Sequence, residues 1–140
     1  MTAGDLSPAD IPVVILCGGM GTRLREASEK LPKPLVDIGG RPILWHIMKT
    51  YSEHGFRRFV LALGYKSDLI KQYFLDYRHL TSDFTLRLGA AGADAEPVFH
   101  NAAGAEDWEI TFVETGLTTA TAARIRRVAD HLDADRFALT

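Results

Sequence analysis

The chain lacks most of the features that mark secreted, membrane-spanning or nucleic-acid-binding proteins. With one cysteine, Cys17, among its 140 residues, it cannot form an internal disulfide. No apolar run reaches the roughly 18 residues that a membrane span requires. A net charge of −2 gives no electrostatic reason to bind nucleic acid or a membrane surface. Residues 1–10 contain no Lys or Arg, so they do not resemble a signal peptide. We therefore expect a cytoplasmic protein with no nucleic-acid or membrane partner.

Several patterns that would indicate catalysis are also missing. The five histidines show no metal-ligand spacing. Cys17 has no base paired with it in the sequence, so we interpret it as a small buried residue. We interpret Asp37 as a loop carboxylate rather than a metal ligand. The composition, 46% apolar and 24% charged, is that of one globular domain large enough to bury a core.

What the chain does contain is an apolar run that leads directly into a glycine-rich loop. Val13–Cys17 is typical of a buried strand, and residues 18–24 continue as Gly-Gly-Met-Gly-Thr-Arg-Leu. Glycines let backbone N–H groups approach a phosphate closely, and the adjacent arginine supplies a positive charge. The loop matches neither the dinucleotide fingerprint nor the P-loop. Its glycine spacing alone leaves both a phosphate site and a plain turn after a strand open.

Beyond this loop, strand-like and helix-like patterns alternate along the chain. They predict helices over residues 42–54, 68–77 and 121–132, strands over 59–63, 84–88 and 109–114, a long loop over 18–41, and a loop or edge hairpin over 89–107. This alternation favours a Rossmann-like α/β fold, a mostly parallel sheet flanked by helices, with ligands bound at the carboxyl ends of the strands. We expect residues 1–11 to be a disordered leader and residues 12–140 to form one nucleotide-binding unit.

Parts of the sequence resemble a known enzyme family. Gly18–Leu24, together with Lys33-Pro34, resembles the signature of the sugar-phosphate nucleotidylyltransferases. The block Gly-Gly-Arg-Pro-Ile-Leu-Trp-His at residues 39–46 is similar to the branch of this family that uses CTP and glucose 1-phosphate. Residues 108–117 and 123–128 are similar to the same branch. The resemblance extends over about residues 12–140.

The resemblance implies a specific reaction. Members of this branch transfer a cytidylyl group from CTP to α-D-glucose 1-phosphate, forming CDP-glucose and pyrophosphate, with Mg²⁺ as the cofactor. Family members are usually nearly twice as long as this chain, which implies a truncated fold without its C-terminal half. The aspartate that holds Mg²⁺ is accordingly expected beyond Thr140, and no metal ligand is expected within the chain. Since family members are often oligomeric, we also expect a homo-oligomer.

The resemblance also assigns the site residues. Arg23 is expected to hold the β- and γ-phosphates and Lys33 to contact the reacting phosphate, which makes these two the catalytic residues. The residues expected to line the nucleotide site are Leu16, Cys17, Gly18, Gly19, Met20, Gly21, Thr22, Arg23, Lys33, Thr119 and Arg124.

One segment departs from the family pattern and leaves alternatives open. The chain has Thr-Ala-Ala-Arg at residues 121–124, where the family usually has Thr-Gly-Gly-Arg or Thr-Gly-Ala-Arg. An added Cβ could crowd the base or oppose a positive φ. The same chemistry with another nucleotide, such as dTTP or UTP, or with another sugar is therefore an alternative, as is a non-catalytic half-domain that binds nucleotide. Arg124 itself could instead belong to an ordinary basic helix surface shared with Arg126 and Arg127.

Overall fold

A computed structural model describes residues 7–18, 31–89, 96–100, 106–117, 119–132 and 136–140. The strands are β1 (Pro12–Leu16), β2 (Asp37–Ile38), β3 (Arg41–Pro42), β4 (Arg58–Leu63), β5 (Phe84–Thr85), β6 (Val98–Phe99), β7 (Glu109–Glu114) and β8 (Ala138–Leu139). The helices are α1 (Ile43–Glu53), α2 (Ser67–Leu75), α3 (Tyr77–Thr81) and α4 (Thr121–Ala129), with 3-10 turns at Pro8–Asp10 and Lys33–Leu35.

The centre of the fold is a four-stranded sheet in the order β7–β4–β1–β8. All of its pairs are parallel, with Val13 opposite Phe59 and Phe59 opposite Ile110. Strands β1 and β4 are almost completely buried. A strand covered on both faces must be apolar throughout, and this explains why both read as continuous apolar runs. The predicted α/β fold with a parallel sheet is confirmed.

Two apolar clusters cover the two faces of the sheet because successive side chains of a strand point to opposite faces. The larger cluster contains Val13, Ile15, Cys17, Leu35, Leu44, Met48, Phe59, Leu61, Leu63 and Ile70. The smaller one contains Val14, Val60, Ala62, Val113 and Val128. Helices α1 and α2 contribute to the larger cluster and α4 to the smaller. No helix in the described part of the chain is long and apolar enough to span a membrane.

The predicted long loop over residues 18–41 is wrong at its end, where β2 and β3 form a small antiparallel hairpin. Gly39 and Gly40, at its turn, have φ angles of 63° and 92°. Two successive positive φ angles make a tight hairpin turn, which glycine adopts without strain. The prediction of Asp37 as a loop residue is therefore wrong, since it lies in β2, where its carboxylate accepts a hydrogen bond from the Gly40 N–H at 3.1 Å. Helix α1 begins directly after this hairpin.

Other element boundaries also differ from the prediction. Of the strand predicted over residues 84–88, only β5 forms. It pairs with β6, which agrees with the edge hairpin that was one of the two expectations for residues 89–107. Helix α2 begins at Ser67, one residue before the predicted start, and ends at Leu75, two residues before the predicted end. Helix α4 ends at Ala129 because the next N–H groups, of His131 and Leu132, form tighter turn bonds to carbonyls three residues back. Within the predicted disordered leader, Pro8–Asp10 form a turn.

Candidate functional site

The carboxyl ends of the three longest strands meet at one edge of the sheet. β1 leads into Gly18, β4 into Gly64 and β7 into Thr115. The backbone pairing extends past the strands, since the Thr115 N–H donates to the Leu63 carbonyl at 2.8 Å. In parallel α/β sheets this edge is where ligands bind. The glycine-rich loop therefore starts at the expected position.

Backbone hydrogen bonds fix the last residues before the loop. The Leu16 N–H donates to the Thr140 carbonyl and the Cys17 N–H to the Ala62 carbonyl, each at 2.9 Å. The Cys17 thiol is buried and lies 3.6 Å from the Ile15 carbonyl oxygen. Burial raises the pKa of this thiol to about 12, so it stays protonated at neutral pH and is a poor nucleophile. The interpretation of Cys17 as a small buried residue is confirmed.

Arg124 lies under the start of the loop with only 7% of its surface exposed. Its Nε donates to the Thr119 carbonyl at 2.8 Å, and its Nη1 donates to Thr115 Oγ1 at 2.7 Å. Its Nη2 donates to the Leu117 carbonyl at 3.3 Å and to the Gly18 carbonyl at 3.4 Å. One guanidinium group thus connects the end of β1 to the segment between β7 and α4.

The alternative that Arg124 belongs to a basic helix surface is wrong. Arg124 and Val128 are four residues apart, share one face of α4 and are both buried. The neighbouring Arg126 is exposed, as a surface arginine is expected to be. Arg127 is also exposed, and its Nη1 donates to the Thr115 carbonyl at 2.6 Å. Sequence spacing could have found the shared face of Arg124 and Val128, but not the oxygen atoms that surround the guanidinium.

The two alanines before Arg124 cause no backbone strain. Ala122 and Ala123 lie in the first turn of α4. Among the described non-glycine residues, only Lys66 has a positive φ. The concern that an alanine here would oppose a left-handed backbone therefore does not apply.

Gly64 is a part of this site that the sequence analysis did not assign. An ideal Cβ on Gly64 would lie 2.7 Å from the Gly116 carbonyl oxygen, 2.8 Å from Arg124 Nη1 and 3.1 Å from Gly18 Cα. Real Cβ atoms essentially never approach other atoms below 3.0 Å. We refer to Gly18, Gly64, Thr115, Gly116 and Arg124 as the strand-end junction. Only tertiary packing identifies Gly64 as a member, although its place directly after a buried strand is a weak signal.

A charged group attaches α2 to the end of β7, next to the junction. Lys71 Nζ lies 2.7 Å from Glu114 Oε2. The hydrogen bond from Lys71 holds the pKa of the Glu114 carboxyl below its ordinary value, although partial burial opposes this, and a hydrogen bond from Ser67 adds to the lowering. Ser67 and Lys71 thus both connect α2 to the end of β7.

None of the described contacts connects the remaining predicted site residues to the junction. Lys33 is exposed at the start of the 3-10 turn, which Leu35 anchors in the core. Gly19, Met20, Gly21, Thr22 and Arg23 lie outside the described residues, so their roles stay predictions. Among the residues that the structure describes, no group of three or more His, Cys, Asp or Glu side chains could hold a metal ion.

The parallel sheet, with a glycine-rich loop at the carboxyl end of its first strand, defines an α/β protein of the Rossmann-like class. Comparison with known families identifies the family within this class. The nucleotidyl transferase family matches residues 12–131, and the chain belongs to this family. The resemblance found in the sequence is thereby confirmed.

The chain is similar to curated proteins and to a solved structure. It is 47% identical over 129 residues to a probable glucose-1-phosphate cytidylyltransferase of Bacillus subtilis, covering 91% of this chain and 48% of that protein. It is 45% identical over 122 residues to the glucose-1-phosphate cytidylyltransferase of Salmonella typhimurium, covering 87% and 46%. The crystal structure of HddC from Yersinia pseudotuberculosis, complexed with GMP-PN, matches with a TM-score of 0.62 and 27% identity, covering 92% and 46%. The chain thus spans about half the length of these relatives.

Proposed function

We propose that this chain is the N-terminal, nucleotide-binding part of a glucose-1-phosphate cytidylyltransferase. The observation that carries the proposal is the 45–47% identity to two proteins of that name over almost the whole chain. The buried junction supports it, because it holds the first residue of the glycine-rich loop at the edge of the sheet where nucleotides bind. The reaction converts CTP and α-D-glucose 1-phosphate into CDP-glucose and pyrophosphate.

The chemistry is an in-line displacement at phosphorus. A phosphate oxygen of glucose 1-phosphate forms a bond to the α-phosphorus of CTP, and the bond from that phosphorus to the leaving pyrophosphate breaks. Negative charge builds up on the pyrophosphate as it leaves. The protein's work in such a reaction is mostly to position the reactants and neutralise this charge.

The proposed roles follow this distribution of charge. Backbone N–H groups of the loop that starts at Gly18 bind the triphosphate, and the Thr22 hydroxyl adds a hydrogen bond. Arg23 holds the β- and γ-phosphates, where the charge develops, because its planar guanidinium can bond two oxygens at once. Lys33 contacts the reacting phosphate from its anchored turn.

Leu16, Cys17, Met20, Thr119 and Arg124 complete the proposed nucleotide site. Thr119 lies directly beside the junction, where its carbonyl accepts the Nε–H of Arg124. CTP is the proposed nucleotide because both named relatives are cytidylyltransferases. Use of dTTP or UTP, and a non-catalytic half-domain that only binds nucleotide, are the alternatives that the experiment below separates.

Mg²⁺ is the proposed cofactor, but the described residues do not provide a site for it. No cluster of three or more metal-binding side chains occurs among them. The aspartate expected beyond Thr140 stays the proposed ligand of the ion. We derive no step of the reaction through the ion.

A cytoplasmic location and a homo-oligomeric state also belong to the proposal. The location is consistent with the finding that no helix in the described residues could cross a membrane. For assembly, the support is that β7 and β8 are edge strands of the described sheet. Unpaired edge strands tend to pair with another chain.

The decisive experiment measures pyrophosphate release with Mg²⁺ and glucose 1-phosphate, offering CTP, UTP, dTTP, ATP and GTP separately. It should be run on this chain and on a version continued to the length of its relatives. Release with CTP alone is expected. Release with UTP or dTTP instead would move the assignment to another nucleotide. No release from either protein, while CTP binding persists in a folded sample, would support the non-catalytic alternative.

The variant Arg23→Ala tests the central role in the mechanism. Loss of one clamp on a transferring phosphate costs about 3–4 kcal/mol of transition-state energy, a factor of roughly 10²–10³ in rate. The matched control is Arg126→Ala, which removes the same charge from an exposed position on α4. Normal turnover by Arg23→Ala would contradict the assigned role.

A further inference from the structure

Two arginines of α4 meet the strand-end junction, and they differ in the donors that their guanidinium groups have left to use. Arg124 is buried and donates to four protein oxygen atoms. Arg127 is exposed, and within the described residues it donates one hydrogen bond, from Nη1 to the Thr115 carbonyl at 2.6 Å. Because a guanidinium carries several N–H donors in a fixed fork, Arg127 keeps donors available for a further group.

The backbone of Gly116 brings a second polar side chain to the same point. An ideal Cβ on Gly116 would lie 2.5 Å from Thr119 Oγ1 and 3.0 Å from Arg127 Nη1. The hydroxyl and the guanidinium therefore converge over Gly116, in the space that a side chain at position 116 would need. With a φ of 92°, this position also has a backbone conformation that favours glycine.

The pair of Thr119 and Arg127 lies at the edge of the sheet where the glycine-rich loop begins. An ideal Cβ on Gly64 would be 2.7 Å from the Gly116 carbonyl oxygen and 3.1 Å from Gly18 Cα, so these two backbones are adjacent. In parallel α/β sheets ligands bind at this edge. A guanidinium binds phosphate through two parallel hydrogen bonds, and a neighbouring hydroxyl can donate a third. The pair thus offers the donors that a phosphate group requires.

We propose that Arg127 is a substrate-binding residue, whose guanidinium, anchored on the Thr115 carbonyl, binds a phosphate group together with the Thr119 hydroxyl. The inference rests on the proposed function in that the phosphate belongs to one of its substrates. Both CTP and glucose 1-phosphate carry such a group, and the chemistry of the pair fits either. Because Arg127 is exposed, a ligand can approach its guanidinium from solvent.

The test measures the affinity of the purified chain for CTP, cytidine, glucose 1-phosphate and inorganic phosphate by titration calorimetry. For Arg127→Ala we expect a fall of roughly tenfold for inorganic phosphate and for the substrate that supplies the phosphate, as for the loss of a hydrogen bond to a charged group. The affinity for cytidine, which has no phosphate, should not change. A fall for CTP but not for glucose 1-phosphate assigns the group to the nucleotide, and the reverse assigns it to the sugar.

Three further substitutions separate phosphate binding from a structural role. Arg126→Ala removes the same charge from the neighbouring exposed position of α4 and should leave all four affinities unchanged. Arg127→Gln can still donate to the Thr115 carbonyl but has no charge, whereas Arg127→Lys keeps the charge. If Arg127 binds phosphate, the lysine variant retains more affinity than the glutamine variant, and a purely structural bond to Thr115 predicts no such order. This comparison also decides the question if Arg127→Ala does not fold.

Two results would overturn the inference alone. One is a folded Arg127→Ala chain that binds CTP, glucose 1-phosphate and inorganic phosphate as tightly as the unchanged chain does. The other is an equal loss for cytidine and CTP, which would indicate a general disturbance of the site. Failure of the proposed function alone has a different signature. The unchanged chain would then bind CTP no more tightly than inorganic phosphate, while phosphate binding would still depend on Arg127. An unchanged chain that bound no phosphate-bearing probe would overturn both.

Discussion

The strand-end junction and the β5–β6 hairpin are opposite extremes of packing in this molecule. At the junction, a methyl group on Gly64 would meet three neighbours at 3.1 Å or less. On and beside the hairpin, large apolar side chains face solvent: Leu86 is 47% exposed, Leu88 87% and Val98 60%. The hairpin also does not pair with the four-stranded sheet in the described structure.

The difference shows at which positions the fold restricts the choice of residue. The side chains of the hairpin pack through aromatic contacts, with the Phe84 and Phe99 rings 5.7 Å apart and Arg78 lying 3.9 Å above Phe99. Such contacts tolerate small shifts. The junction holds a buried charge and closely approaching backbones, which cannot shift without breaking hydrogen bonds. A site that must keep the ends of separate strands in fixed positions requires the second kind of packing.

Among the substitutions at the junction, the charged pair and the hairpin, Gly64→Ala has the largest expected effect. Its Cβ would press on the Gly116 carbonyl and on Gly18 Cα, which are backbone atoms and cannot rotate away. We expect a loss of about 2–3 kcal/mol in the free energy of unfolding, as for other overpacked sites. Chemical denaturation of the purified chain measures it.

The control for this comparison is Gly89→Ala, near the hairpin. Gly89 has nothing within 4 Å of an ideal Cβ, but its φ of +75° disfavours alanine. Only a backbone penalty of about 1 kcal/mol is therefore expected. A Gly64→Ala loss no larger than that of Gly89→Ala would show that the junction is not tightly packed.

A smaller effect, dependent on pH, is expected at the charged pair beside the junction. The pKa of Glu114 is lowered in the folded chain, mainly by Lys71. The pair of Lys71 and Glu114 therefore stabilises the folded chain above the ordinary glutamate pKa of 4.5. This stabilisation is lost as the pH falls through the lower pKa that Glu114 has in the folded chain. Because about half of the Glu114 side chain is exposed, Lys71→Met should cost only about 0.2–1 kcal/mol at pH 7.

Unfolding curves of the unchanged chain and Lys71→Met, recorded between pH 7 and pH 3, check this prediction. The difference between the two should shrink toward the acid end. In the Glu114→Gln background, Lys71→Met should have an effect that does not vary with pH in this range. A difference that grew on acidification would mean that the pair does not stabilise the ionised carboxylate.

The smallest effect is expected at the hairpin. Leu88→Ser removes a large apolar side chain that is 87% exposed, so the free energy of unfolding should change by less than about 0.5 kcal/mol. The matched control, Leu61→Ala at a fully buried position of β4, should cost about 2–5 kcal/mol. A large loss for Leu88→Ser, measured at several protein concentrations, would indicate that another chain covers Leu88.

The sequence predicted the sheet well and its surroundings less well. Strands β1, β4 and β7 and helix α1 were found because long apolar runs and helical spacing depend on burial of a whole element. The β2–β3 hairpin was missed because four strand residues around Gly39 and Gly40 show no periodicity. Three of the five residues predicted as a strand over 84–88 are not part of one, since β6 offers only two partners.

The parts of the site that could be predicted were those encoded by residues adjacent in the sequence. The glycine-rich loop and its place after β1 follow from contiguous residues. The family found from those residues is confirmed by the match over residues 12–131. The burial of Arg124 did not follow, because the end of β1 at Gly18 and the segment 115–119 have to meet around the guanidinium before it can be buried. Gly64 was missed for the same reason.

The sequence by itself therefore determined the class of fold, the family and the position of the glycine-rich loop, since each is encoded in contiguous runs of apolar or small residues. The tertiary structure alone decided that Arg124 lies beneath Gly18, 106 positions away in the chain. It also decided that Gly64 has no room for a side chain. These properties depend on which atoms surround a residue, and only the packing of distant strands and helices supplies those neighbours.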